Sequence, residues 1–210
     1  MNAQVPNETR TATCRLFIAL PVPEEVKREI QRAQDQLRRG LPEGCARWNG
    51  AEQLHLTLRF LGNVDVAQTA TLTDVVRAAC ANFAPLKLRA ERIGCFPDLR
   101  FPRVVWIGVH DGEKRLADLA KAVVEAAAVF SEETREERFT GHITIARIKN
   151  LRRREAGILA KLAQDMTGRE FGEWTADAIE IVRSELAADG ARYTCLARLP
   201  LRGMIVQGTS

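Results

Sequence analysis

The chain has 210 residues, of which 46% are apolar and 28% charged, with 31 basic and 27 acidic side chains and a net charge of +4. These values are typical of a globular protein large enough for one domain or two small lobes. No stretch approaches the roughly 18 consecutive apolar residues of a membrane span, and residues 1–13 lack the apolar segment of a secretory signal, so neither a membrane protein nor a secreted one is expected.

The cysteines and the net charge give only broad information. Five cysteines are scattered through the chain without a C-x-x-C pair, and an odd number in that arrangement favours reduced thiols in a cytoplasmic protein. The small basic excess is compatible with an anionic partner but does not by itself indicate one. Any specific function must therefore be encoded in local motifs.

The first half of the chain begins with an expected flexible tail, residues 1–12, ahead of a single domain over residues 13–210. The segment RLFIAL is typical of a strand, which Pro21 stops. Pro23 then begins a helix with acidic residues in its first turn. In chain order this half is predicted to contain a strand, a helix, two strands and a second helix, at residues 15–20, 23–39, 46–48, 54–61 and 65–82.

The second half is richer in strands. A helix at residues 113–130 has the clearest apolar stripe, and a charged loop at residues 131–138 follows it. The dipeptide Asp189-Gly190 between two alternating segments predicts a hairpin turn. The predicted elements are two strands, a helix, a strand, a helix and two closing strands, at residues 86–95, 103–109, 113–130, 139–148, 152–164, 178–186 and 192–201.

One tetrapeptide pattern occurs twice, as HLTL from His55 and as HITI from His142. The chain has only three histidines, and histidine is the side chain best suited to proton transfer near neutral pH. Successive side chains of a strand point to opposite faces, so each copy places its histidine and its threonine, Thr57 or Thr144, on one face. Two such strands facing one another would present two imidazoles and two hydroxyls, which suits chemistry on a phosphodiester.

The order of elements mixes helices and strands without strict alternation, which indicates an α+β protein with antiparallel sheets. Each tetrad strand is followed by a helix, and the two halves have similar contents. We therefore expect two pseudo-symmetric lobes whose antiparallel sheets face a central cleft, with the helices outside. A pseudo-twofold axis would bring both tetrads to that cleft.

Five segments of the chain resemble one known family. They are RLFIALPVPEEV, RWNGAEQLHLTLRFLG, PRVVWIGV, FTGHITIAR and RSELAADGARYTCLARLPL. Together they resemble the bacterial RNA 2′,3′-cyclic phosphodiesterases, also named 2′-5′ RNA ligases, of the two-histidine phosphoesterase superfamily. The resemblance covers nearly the whole chain from Arg15 onward. One departure is Gly141, because many members carry proline before the second histidine.

The resemblance implies a fold of two lobes and a metal-independent, cofactor-free opening of a terminal 2′,3′-cyclic phosphate on RNA, which leaves a 2′-phosphate. It also implies reversible joining of RNA ends through a 2′-5′ linkage. Following the family, His55 is expected to donate a proton and His142 to accept one, while Thr57 and Thr144 bind the phosphate. The expected partners are RNA ends, such as those of tRNA fragments, or small cyclic nucleotides, and the expected state is a monomer.

Two further residues are candidates for substrate binding. Phe17, in RLFIAL, is expected either to line the cleft and stack on a base or to pack in the core. Arg147, in HITIAR, resembles a family residue near the substrate, but it has the strand parity of Ile143 rather than that of His142. Only a bulge or the end of the strand would turn its side chain into the cleft.

Two other functions remain open at this point. A metal-dependent phosphodiesterase would use the histidines as ligands, but no carboxylate or cysteine stands at ligand spacing, and zinc generally takes three or four protein ligands. A non-catalytic RNA-binding module is disfavoured by the mild charge and by an aromatic content of only 6%. Activity in EDTA would exclude the first, and loss of function on replacing the two histidines would exclude the second.

Overall fold

The computed structural model describes residues 12–131, 139–187 and 190–203. The strands in these ranges are β1 (Thr13–Pro21), β2 (Ala46–Trp48), β3 (His55–Asp65), β4 (Leu86–Phe96), β5 (Val104–His110), β6 (His142–Ile148), β7 (Glu170–Ala176), β8 (Ala178–Ala187) and β9 (Gly190–Pro200). The helices are α1 (Glu24–Gly40), α2 (Thr69–Cys80), α3 (Arg115–Ala126) and α4 (Arg153–Asp165). The expected tail up to residue 11, the charged loop from residue 132 and Asp189 of the expected turn lie outside the described residues.

The predicted helices and strands are present, and the differences have local causes. Strand β3 continues past the predicted stop at Gly62, because Gly62 adopts a φ of +74° at an irregularity in the ladder and the strand pairs on beyond it. Helix α2 begins later than predicted, because a short 3-10 turn precedes it. The Asp65 carboxylate caps this turn by accepting a hydrogen bond from the Ala67 N–H. The sequence does not predict β7, an edge strand whose alternation is broken by Gly172 at a φ of +128°.

The strands form one sheet in the order β7-β4-β5-β6-β3-β1-β8-β9, with β2 paired to the far end of β6. The central contact, between β6 and β3, consists of a single register pair, Leu56 with Ile143. We call this contact the seam. It divides the sheet into two antiparallel halves, which confirms the predicted α+β lobes and adds that their sheets are continuous.

The order of strands is symmetric about the seam. Reading outward, β3, β1, β8 and β9 of one half correspond to β6, β5, β4 and β7 of the other. Helices α2 and α3 pack against the half that contains β3 and β9, whereas α1 and α4 pack against the half that contains β4 and β7. All four helices contribute to one apolar core, and none of them is long and apolar enough to cross a membrane.

The core lies between the helices and one face of the sheet. Ile18, Leu56 and Ile143 point into it and are fully buried. Their neighbours along the strands point to the opposite face. There Phe17 belongs to a smaller apolar cluster, against which Tyr193 packs. We call this second face the cleft face, because it carries the side chains of both tetrads.

A β-bulge follows Thr144 in β6. The register with β5 slips at this point and leaves Ile145 as the extra residue. Ile145 and the next residue, Ala146, are both fully buried, so the alternation of the strand reverses after them. Arg147 therefore lies on the same face as Thr144, which resolves the parity objection raised by the sequence.

A buried glutamine holds this bulge in place. The Nε2 group of Gln34, on α1, donates to the backbone carbonyls of Asn49 and Ile145, each at 2.8 Å. The Asn49 side chain in turn donates to the Thr144 carbonyl at 2.8 Å. Gln34 is only 4% exposed. Its amide satisfies the Asn49 carbonyl and adds a second donor to the Ile145 carbonyl, which also accepts from the Asn49 N–H at 3.0 Å.

Replacing Gln34 by leucine is expected to lower the free energy of unfolding by about 1–3 kcal/mol, because the Asn49 carbonyl loses its donor in a buried site. Urea unfolding measures the change. Gln164→Leu, at an exposed position of α4, is the matched control and should shift stability by less than about 0.5 kcal/mol. Equal stabilities of the two variants would contradict this account.

Candidate active site

The seam brings the two tetrads together on the cleft face. Its central pair is antiparallel and lies in the core, so the residues on either side of that pair point into the cleft. Antiparallel pairing matches these neighbours crosswise, which sets His55 beside Thr144 and Thr57 beside His142. The two imidazoles therefore stand at opposite corners of a group of four, each next to a hydroxyl. Neither hydroxyl bonds to another of the described side chains or backbone groups, so both are available to a ligand.

Both imidazoles are oriented by the backbone two residues upstream. His142 Nδ1 lies 2.7 Å from the Thr140 carbonyl oxygen, and the His55 ring hydrogen-bonds to the backbone of Gln53. A carbonyl can only accept, so Nδ1 of His142 carries the proton and Nε2 of the neutral ring is free to take one.

Burial keeps both imidazoles neutral in the free protein. It lowers the pKa of His55 to about 4, opposed by the hydrogen bond to Gln53 and assisted slightly by the charge of His142. Burial also lowers the pKa of His142, where the bond to Thr140 opposes the effect and the charge of Arg147 adds to it. A desolvated site disfavours imidazolium unless a negative charge enters with it.

Aromatic rings pack around each histidine. The Phe17 ring stacks on His55 with 4.6 Å between centroids, and Tyr193 meets the same imidazole edge-on at 5.2 Å. In the other half, Phe96 meets His142 edge-on at 5.0 Å. A flat sheet would separate β3 from β9 by about 14 Å, three strand spacings, so the contact between Tyr193 and His55 reflects the curl of this half around the cleft.

The structure places the two remaining candidates differently. Arg147 lies on the cleft face, exposed, and close enough to His142 to influence its pKa. Phe17 also lies on this face, but it is 2% exposed and its ring is covered by His55 and Tyr193. Its partner across the ladder, Phe60, is 44% exposed and is the more accessible of the two rings.

A pocket of about 180 Å³ opens beside His55. Its wall combines apolar groups with charged ones, including Lys27, Glu52 and Glu180. In the part of the chain that the structure describes, no group of three or more histidine, cysteine or acidic side chains is placed to hold a metal ion. The groups gathered at the seam are therefore suited to proton transfer and to binding a small anion.

Comparison with known proteins identifies the family. The family model described as the 2′-5′ RNA ligase superfamily matches residues 17–188. The chain belongs to this superfamily. It is 33% identical over 199 residues to an RNA 2′,3′-cyclic phosphodiesterase of Thermus thermophilus, covering 90% of this chain and 91% of the relative. An RNA 2′,3′-cyclic phosphodiesterase of Aquifex aeolicus is 32% identical over 160 residues, or 75% and 82% of the two chains.

Solved structures agree with the superfamily assignment. The crystal structure of TT0787 of Thermus thermophilus has a TM-score of 0.73 and 29% identity, covering 90% of this chain and 98% of that one. Escherichia coli LigT complexed with 3′-AMP has a TM-score of 0.71 and 25% identity, covering 90% and 99%. The resemblance inferred from five sequence segments is thus confirmed at the level of family and fold.

The departure from the superfamily at Gly141 has a structural counterpart. A Cβ atom at this position would lie 2.6 Å from the Val109 carbonyl oxygen, and the Val109 N–H donates to the Gly141 carbonyl at 2.9 Å. Glycine thus allows β5 and the start of β6 to approach closely. A proline here would require one of the two strands to shift.

Sequence reasoning missed three residues of the site: Arg47, Trp106 and Tyr193. Arg47 pairs with Arg147 across β2 and β6, and Trp106 pairs with Thr144 across β5 and β6. Each of the three stands in a segment that carries the family resemblance, but no local pattern separates it from an ordinary strand residue. Strand register brings Arg47 and Trp106 to β6, and the curl of the sheet brings Tyr193 to His55.

The low pKa of His55 predicts a specific dependence of stability on pH. Below pH 6.5 His55 becomes protonated in the unfolded chain, but in the folded chain it stays neutral until about pH 4. The free energy of unfolding therefore decreases as the pH falls through this window. The His55→Phe protein should lack this part of the pH dependence. Near pH 4.5 its free energy of unfolding should therefore recover on the order of 2–3 kcal/mol relative to that of the wild type. Urea titrations at several pH values measure the difference.

The His110→Phe protein is the control for the substitution itself, because it places the same residue at the third histidine, which is exposed. Parallel pH slopes for the wild type and His55→Phe would mean that the buried imidazole titrates normally. His142 contributes to the same window with the same sign, so some slope should remain in His55→Phe.

Proposed function

We propose that the protein hydrolyses 2′,3′-cyclic phosphate ends of RNA to 2′-phosphomonoesters by acid–base catalysis between His55 and His142. The observation that carries this proposal is the crosswise meeting of two His-x-Thr strands at the seam, in a chain of the 2′-5′ RNA ligase superfamily. The names of the relatives support RNA as the substrate. The complex of LigT with 3′-AMP supports binding of a ribonucleotide by a protein with this fold.

In the first step His142 acts as the general base. Its Nε2 takes a proton from a water molecule, whose oxygen attacks the phosphorus in line with the bond to the 3′ oxygen. The tautomer set by the Thr140 carbonyl suits this role, because it leaves Nε2 unprotonated. As the bond to the 3′ oxygen breaks, the imidazolium of His55 donates its proton to that oxygen and the phosphate stays on the 2′ oxygen.

The acid role of His55 requires a proton that the free protein does not hold at neutral pH. A bound phosphodiester brings a negative charge into the desolvated site, which raises the pKa of the neighbouring imidazole. Stacking by Phe17 keeps the ring in place, so we assign Phe17 to positioning His55 rather than to binding a base. The opposite corners occupied by the two rings suit in-line displacement, which needs base and acid on opposite sides of the phosphorus.

Thr57 and Thr144 donate hydrogen bonds to the two non-bridging oxygens, where charge accumulates in the transition state. Arg147 adds a positive charge at one end of the cleft face. When the 5′-hydroxyl of a second RNA takes the place of the attacking water, the same groups form a 2′-5′ linkage. The same site thus also supports ligation. Small cyclic nucleotides are the smallest substrates that this site would hydrolyse.

Replacement of either catalytic histidine by alanine is expected to lower kcat by at least about 100-fold, since each removes one proton transfer. The assay uses an oligonucleotide that ends in a 2′,3′-cyclic phosphate, in the presence of EDTA, with chromatography of the product. The wild type should form a 2′-phosphate. His110→Ala is the matched control and should retain activity, because the His110 side chain is exposed and bonds to Arg92 outside the tetrads.

Three results would reject parts of the proposal. A 3′-phosphate product would show that the 2′ oxygen leaves instead. Loss of activity in EDTA would favour a metal-dependent phosphodiesterase. No turnover by the wild type, together with binding of the oligonucleotide, would favour a non-catalytic RNA-binding module.

Thr57→Val and Thr144→Val are each expected to lower kcat about 100-fold, because valine keeps the shape and strand preference of threonine but removes the donor to the phosphate. Steady-state kinetics on the same oligonucleotide measure the effect. Thr194→Val, at an exposed position of β9, should leave kcat unchanged. A full-rate Thr57→Val or Thr144→Val enzyme would remove that hydroxyl from the mechanism.

A further inference from the structure

Two arginines stand directly opposite one another on the cleft face. Arg47 of β2 pairs in register with Arg147 of β6, and both side chains are exposed. Like charges at directly opposed positions of a ladder repel. Neither guanidinium forms an ion pair with a carboxylate of the described residues. Such a pair is stabilised when an anion lies between the two side chains.

The surroundings add further donors to this pair. The Arg47 guanidinium lies against Gly190 at the start of β9, where a Cβ atom would come within 2.6 Å of Nη2. The Gln53 side chain holds this end of β9 by donating to the Ala191 carbonyl at 2.7 Å. Arg15 lies on β1 two residues before Phe17, whose ring contacts Tyr193. The cluster of Arg15, Arg47, Arg147 and Tyr193 is named here the arginine cluster.

Tyr193 connects the arginine cluster to the catalytic group. The centroid of its ring lies 5.2 Å from that of the His55 imidazole. The charges of all three arginines act on its hydroxyl. Burial raises the pKa of Tyr193, and the charges of Arg147, Arg47 and Arg15 oppose that shift. The phenol therefore stays protonated at neutral pH and can donate a hydrogen bond.

The arginine cluster is displaced from the group that holds the cyclic phosphate. Because Ile145 is an extra residue, Arg147 stands two ladder positions beyond Thr144, which is about 7 Å along a strand at 3.3 Å per residue. Arg47 lies level with Arg147 on β2, which pairs with the same edge of β6 as β3 does. Both guanidinium groups are thus displaced to one side of a phosphate bound between the two threonine hydroxyls, and a second anion lying between them would engage both.

We propose that the arginine cluster binds the phosphate on the 5′ side of the terminal nucleotide, the one that joins it to the rest of the RNA. This inference rests on the proposed function, because it takes the cyclic phosphate to lie at the seam. The next anion along an RNA chain is that 5′ phosphate, and a cyclic mononucleotide with a 5′-hydroxyl lacks it. The arginine cluster thus makes the protein selective for RNA ends over free cyclic nucleosides.

The test compares three substrates: adenosine 2′,3′-cyclic phosphate with a 5′-hydroxyl, its 5′-phosphorylated form, and the dinucleotide ApA ending in a 2′,3′-cyclic phosphate. We expect kcat/KM of the wild type to be at least about tenfold higher for the two that carry a 5′ phosphate, the value of one charge-assisted hydrogen bond. In Arg47→Gln this preference should fall by about tenfold. Arg47→Lys, which keeps the charge but not the fork, should lie between.

Arg39→Gln, at the exposed end of α1, is the matched control and should keep the preference of the wild type. A wild type that shows no preference for a 5′ phosphate overturns the inference while leaving the proposed hydrolysis intact. Equal losses in Arg47→Gln on all three substrates would also overturn it, because they would place Arg47 on the cyclic phosphate itself. Preference for the dinucleotide alone would also overturn it, because the 5′-phosphorylated mononucleotide carries a phosphate at the same position.

A binding measurement decides the question even if no substrate is turned over. The probe is ApA with a 2′-phosphate, titrated calorimetrically at several salt concentrations. Loss of one phosphate contact in Arg47→Gln should reduce the slope of log K against log salt by about 0.7, the value for single strands. An unchanged slope would show that Arg47 does not contact the probe.

Discussion

The single register pair at the seam constrains the rest of the molecule. Leu56 and Ile143 are fully buried and join the two half-sheets at one point. Because side chains alternate along a strand, burying this pair sends the histidine and threonine of each tetrad to the opposite face. A slip of one residue would bury the polar set and expose the apolar one, so the free energy of the core also specifies the geometry of the site.

In the proposed function, the pseudo-twofold arrangement supplies both the acid and the base. The two imidazoles occupy equivalent places, each tied to the backbone two residues upstream. The bulges after the threonines are also equivalent, with Leu58 in β3 and Ile145 in β6 as the extra residues. Symmetry ends three residues after each threonine, where Phe60 stands in one strand and Arg147 in the other. In the proposed function, equivalent catalytic groups with unequal flanking groups would give a bound RNA end a single direction.

The sequence predicts the parts of this structure that depend on local periodicity. Strict alternation in LHLTL and HITI identifies the tetrad strands, and the apolar stripe of residues 113–130 identifies a helix. The bulge at Ile145 is different, since it depends on the carbonyls that Gln34 reaches from a helix 111 residues away in the chain. No feature of HITIAR encodes that contact, which is why parity alone gives the wrong face for Arg147. For the same reason the neighbours of the histidines on distant strands, Trp106 and Tyr193, cannot be identified from the sequence.

The electrostatics of the cleft follow from the same separation of faces. Desolvation leaves the imidazoles neutral until an anion arrives, whereas the arginines on the outer part of the cleft face remain exposed and charged. An incoming RNA end therefore meets a positive field before it meets the buried rings, and long-range attraction acts on its phosphates first. Once the cyclic phosphate reaches the seam, its charge makes protonation of one imidazole favourable in the place where burial had opposed it. In the proposed mechanism, substrate binding thus produces the protonation state that the chemistry requires, and water alone, which brings no charge, does not.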